Sequence, residues 1–120
     1  MTRFSWFSAA PVAATFMLAC ASSPKPVAQI ASSEGAIRGA TEAGAQSVPA
    51  ATLYLQLATE SRDKALALVE KDKNKEASGL LLRSEADAEL ALAIARAEKA
   101  KQAANTANER VEDLKESVKP

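Results

Sequence analysis

The chain has 120 residues, 15 basic and 15 acidic, no histidine and a single cysteine. Zero net charge leaves no basic field to gather nucleic acid or anionic lipid headgroups, and without imidazole the usual zinc sites and general bases are missing. One small domain fits in this length and no more.

Arg3 supplies a minimal positive start, and residues 4–18 are mostly apolar over about 15 positions, the length of a secretory signal rather than of a membrane span. Met17, Leu18, Ala19 and Cys20 close the segment. This run resembles the bacterial lipoprotein box, with methionine where leucine is commonest. The resemblance implies a signal peptide over residues 1–19, cleaved between Ala19 and Cys20, and a diacylated (palmitate-type) Cys20 that is then N-acylated. The alternative is a conventional signal peptide with an incidental thiol, but a lone cysteine in an exported protein is otherwise a reactive liability. Two or three acyl chains, at about 0.8 kcal/mol per buried methylene, anchor stably where one would be marginal.

Residues 20–26 then read as a lipidated tether, because Ala21, Ser22, Ser23, Pro24, Lys25 and Pro26 are small, polar and proline-punctuated. It reaches only about 20 Å. Ala21 is not the aspartate that retains such lipoproteins in the inner membrane, so the resemblance implies the periplasmic face of the outer membrane.

Residues 27–120 form the expected helical domain. A first helix is predicted over 27–43, with Val27, Ile30, Ile37 and Ala40 at helical spacing. Gly35 and Gly39 weaken it and suggest close helix approach. Gly44 suits a left-handed cap and Pro49 the first turn of the next helix. The second helix is predicted over 49–71, with Tyr54, Ala58, Ser61, Ala65 and Leu68 as its inward stripe, Leu53, Leu57 and Val69 beside it, and Glu60 paired with Lys64 outside. Residues 70–76 are polar enough for a turn, with Asp72 or Asn74 available to cap the third helix.

That third helix is predicted over 75–118. Leu90, Ala93, Ala97, Ala100, Ala104, Ala107, Val111, Leu114 and Val118 alternate by three and four residues, a coiled-coil heptad seam that Leu82 and Ala86 extend backwards. The seam is expected either to be covered in its distal half by the first helix or to be left for a partner. The fold class expected is all-α: an elongated, alanine-rich antiparallel hairpin or three-helix bundle with a long C-terminal helix. Whether the first helix folds back or continues through Pro49 stays open, since both bury similar residues. With alanine dominating and Tyr54 the lone aromatic after the signal, burial is thin and self-association or a partner is expected to add to it.

The run Glu42, Ala43, Gly44, Ala45, the opening of the second helix at Pro49 to Leu53, and Ser84, Glu85, Ala86, Asp87, Ala88, Glu89, Leu90, Ala91 together resemble the bacterial envelope proteins grouped as domain of unknown function 4398 (DUF4398). The resemblance spans nearly all of the mature chain. It implies a helical, outer-membrane-associated protein and carries no catalytic residues to transfer.

No catalytic activity, metal, cofactor or small-molecule substrate is expected, because no nucleophile, base and orienting partner can be assembled. Glu85, Asp87 and Glu89 do not converge on one ion, since Asp87 points away from the other two. Attachment to peptidoglycan through a terminal lysine is not expected, because Pro120 follows Lys119. The expected role is structural or interactive: membrane attachment through Cys20, and a seam presented to further copies or to another envelope protein. The alternative is an accessory module that binds a soluble client or regulates an envelope enzyme through a groove beside Tyr54, Leu57 and Leu68.

Overall fold

The structure, a computed structural model, describes residues 23–119. The expected signal peptide over 1–19, its Ala19–Cys20 cleavage point, the lipidated Cys20, the tether residues Ala21 and Ser22, and Pro120 lie outside the described residues. Helix α1 spans Val27–Glu42, a short 3-10 turn spans Ala45–Ser47, α2 spans Pro49–Val69 and α3 spans Asn74–Ser117. Among the described residues there is no strand.

Local chemistry explains where the helices break. Gly44 takes φ +90°, a left-handed conformation that side chains with a Cβ avoid, and this ends the first helical path. Val48 is extended, as the residue before a proline should be, and Pro49 opens α2 at the position where a missing N–H costs nothing. The Thr52 hydroxyl closes the corner: its single proton has the carbonyl oxygens of Ala45, Gln46 and Val48 within reach as acceptors, at 3.1, 3.2 and 3.1 Å.

At the other corner the Lys73 N–H bonds the Leu68 carbonyl at 3.0 Å and the Asp72 N–H bonds Val69 at 3.1 Å, the paired bonds of a Schellman ending. Asp72 sits in the left-handed position that glycine usually fills, with φ 56°. This corrects the expected cap: Lys73 precedes α3 without a side-chain bond, and neither Asp72 nor Asn74 caps it. Asn74 is instead buried in the first turn, where its Nδ2 donates to the Ser23 carbonyl at 2.7 Å.

The three helices run up, down and up. Ala51 and Leu55 of α2 join Ala91 and Ala95 of α3, whereas Ala65 joins Ala77 and Leu81, so α2 is antiparallel to α3. Ile30 packs against the second of these clusters and Ile37 against the first, which makes α1 parallel to α3. Gln29 Nε2 reaches Ser78 Oγ at 3.3 Å, and the Ser32 hydroxyl donates to Glu85, in the same register. α1 therefore folds back. The fold is a three-helix bundle, and α1 does not continue into α2.

Between the two apolar clusters each helix contributes a buried serine, Ser33, Ser61 and Ser84. Ser84 donates to the Ala58 carbonyl of α2 at 2.7 Å, which satisfies its hydroxyl without water. Leu55 and Leu81 are the largest apolar side chains in a core otherwise made of alanine. Since alanine offers little more than one methyl, the close contact of small faces holds the bundle rather than bulky burial.

Several expected inward positions are corrected. Ala58, Ser61 and Ala65 are buried as expected, but Leu53 is exposed, Tyr54, Leu57, Leu68 and Val69 are half-buried, and Leu55 takes the inner place. On α1, Ser33 and Ala40 are buried, Ile30 and Ile37 half-buried, and Val27 faces outward. Gly35 and Gly39 mark no close approach, because a Cβ at either would meet nothing within 4 Å.

Candidate functional site

α3 has 44 residues and so extends about 65 Å at 1.5 Å per residue. Its bundle face is Asn74, Ala77, Leu81, Ser84, Ala88, Ala91 and Ala95, alternating by three and four. Continued along the helix, the same face becomes Glu98, Gln102, Asn105, Glu109, Glu112 and Glu116. Once these positions turn polar, α1 and α2 have nothing to pack against. From Lys99 to Lys119 every residue is exposed.

The heptad seam read from the sequence lies on the other side of the same helix. Ala93 and Ala97 follow Ala91 and Ala95 by two residues, a rotation of about 200°. Neither α1 nor α2 covers this side. Leu90, Val111, Leu114 and Val118 are 42, 47, 65 and 78% exposed, and Ala93, Ala97, Ala100, Ala104 and Ala107 are exposed with them, as are Leu82 and Ala86. Of the two outcomes open for the distal half, cover by α1 is ruled out, since α1 packs beside residues 77–95.

Charge is sorted around the projecting half. Arg96, Lys101, Arg110 and Lys115 border the seam with no acidic residue among its flanking positions, whereas Glu109, Glu112, Asp113 and Glu116 occupy the far side together with Lys99 and Lys119. Lys115 Nζ reaches Glu112 at 2.8 Å across the boundary. Both partners are largely exposed, so the pair contributes a few tenths of a kcal/mol, about 0.3–0.5 for such helix pairs.

The projecting end is also the end farthest from the tether. Asn74 holds Ser23 beside the start of α3, Pro26 is buried, and α1 leaves from this end in the direction of α3. At most about 10 Å of chain separates Cys20 from Ser23.

Other candidates do not assemble. Glu85 accepts from Ser32, Asp87 lies 3.6 Å from Arg83, and Glu89 is exposed, so the three carboxylates are dispersed. Tyr54 packs against the Ala40–Ala91 cluster and Leu68 against the Ala65–Leu81 cluster, so they do not frame a common groove. The Glu60–Lys64 pair forms at 3.5 Å on the outer side of α2.

Sequence reasoning found the outward seam but missed the inward one. Leu81, Ser84, Ala88, Ala91 and Ala95 carry the same alternating spacing, so the signal was present twice on one helix. The longer and bulkier stripe drew the assignment.

Nothing among the curated proteins or the solved structures matches the chain. A family model does match over residues 28–107, two thirds of the sequence, covering all three helices up to Ala107. The chain thus belongs to the family described as Domain of unknown function (DUF4398).

Proposed function

We propose that this protein is a non-catalytic lipoprotein of the bacterial envelope, acylated at Cys20, held on the periplasmic face of the outer membrane, and working as a structural or interaction element. The observation that carries the proposal is α3 outrunning its own bundle by about twenty residues, with an apolar seam bare at the end farthest from Ser23. Such a shape is suited to reach, which a buried catalytic site does not require. An acylated Cys20 at the near end turns that reach into distance from a membrane, up to about 65 Å if α3 stands upright. The leader supports the same reading, because an apolar segment of signal length ends on the chain's lone cysteine. No described helix is long and apolar enough to cross a membrane.

The test is metabolic labelling with a palmitate analogue, followed by separation of inner and outer membranes, for the natural chain and for Cys20→Ser. Label on the natural chain in the outer-membrane fraction, with the variant unlabelled and soluble but still helical, is the expected result. A variant that remains tightly membrane-bound defeats the anchor assignment.

A further inference from the structure

We propose that the projecting half of α3 is a docking face for a helix of another protein, one whose own apolar seam is flanked by acidic side chains. The inference rests on the interaction role proposed above and does not depend on acylation. Three observations select this occupant. The apolar positions Val111, Leu114 and Val118 are exposed with no cover from α1 or α2. They recur at strict heptad spacing in a narrow stripe, the pattern of a helix–helix seam. The positions bordering that stripe are cationic at Arg96, Lys101, Arg110 and Lys115, while the acidic residues of the segment sit on the far side.

Charge decides between the occupants. In a parallel pair of copies Arg96 would face Lys101, and Arg110 would face Lys115, of the second copy. In an antiparallel pair centred near residue 109, Lys101 would face Lys115 of the second copy and Arg110 would face its own counterpart. Like charges at these flanking positions oppose pairing, and opposite charges choose the partner. A second copy is therefore disfavoured and an acid-flanked helix favoured. A membrane surface fits less well, because the stripe contains no aromatic residue and little bulky apolar area. The segment also begins on the far side of the bundle from the tether.

The experiment titrates two synthetic helical peptides, each about four heptads long so that the helix is stable, into the chain from residue 20 onward carrying Cys20→Ser. Both peptides have leucine and alanine at the seam; one carries glutamate at every flanking position and the other lysine. The glutamate peptide is expected to bind at least about tenfold more tightly. That preference should weaken with salt and reverse when Arg96, Lys101, Arg110 and Lys115 are all changed to glutamate. Leu114→Asp should abolish binding of the preferred peptide while circular dichroism shows the bundle intact.

Three results would overturn the proposal. The first is equal binding of both peptides, or binding of neither. The second is a chain that sediments as a dimer which Leu114→Asp dissolves, making a second copy the occupant. The third is capture by phosphatidylglycerol vesicles through the same four cations at concentrations where the glutamate peptide does not bind. A failed anchor would register in the labelling and fractionation experiment and leave these titrations unchanged.

Discussion

Gly35 and Gly39 show how much a residue's meaning depends on what lies beside it. Two glycines four apart inside a helix suggest a backbone pressed against a neighbour, yet the space next to each is open. Both keep the entropic disadvantage of glycine without a packing reason for it. Alanine at either position should therefore raise stability by about 0.5–1 kcal/mol. Thermal unfolding would show this as a Tm several degrees higher for a domain of this size, about 4–8 °C per kcal/mol. A lower Tm for Gly35→Ala would mean that a neighbour occupies that space after all. Gly44 gives the opposite expectation. At φ +90° an added Cβ meets the following carbonyl, so Gly44→Ala should lower stability by about 1–2 kcal/mol in the same measurement.

At the scale of the element, α3 is one helix with one face packed and the opposite face bare. The inner face is made of small residues because α1 and α2 approach it closely: Ala77, Ala88 and Ala91 are fully buried and Ser84 reaches the α2 backbone. A larger side chain there must push helices apart. Ala91→Leu should cost about 1–3 kcal/mol by overpacking. On the bare half the same change has nothing to displace, so Ala104→Leu should shift stability by less than about 0.5 kcal/mol. Denaturant unfolding of the two variants compares the faces directly. Equal losses at both positions would show that the outer seam is packed inside the chain.

For the molecule as a whole, one cooperative bundle carries a helix that outlasts it. Tertiary contacts hold α3 over residues 74–98, but the rest relies on its own propensity, and isolated helices of this length are marginal in water. Native-state hydrogen exchange should therefore find slow amides between about Ala77 and Ala95 and weak protection beyond about Gln102, because helix stability without packing falls toward zero. Uniform protection to Val118 in dilute solution would show the projecting half already covered by a further copy. The bundle itself is lean. Two buried leucines and a set of alanines leave it with modest burial for its length, so a partner along α3 would order the molecule as well as bind it.

What the sequence by itself determined is the part governed by local chemistry. Gly44 and Pro49 broke the first helix from the second, the polar residues from Glu70 to Lys73 broke the second from the third, and unbroken periodicity made the third long. Each break depends on a few adjacent dihedral angles and hydrogen bonds, so the all-α architecture and the helix order were legible in one dimension. Ala58, Ser61 and Ala65 were legible inside α2 for the same reason. Only the tertiary structure decided which side of α3 faces inward and that α1 folds back onto it. An alanine-rich helix carries two stripes about 200° apart, and periodicity ranks them by length and bulk. The bundle instead selects the stripe whose small side chains match those of α2 and α1, and it ends where that stripe turns to Glu98 and Gln102. The seam most visible in the sequence lies outside because α1 and α2 pack on the opposite face over residues 77–95 and do not run along the projecting half.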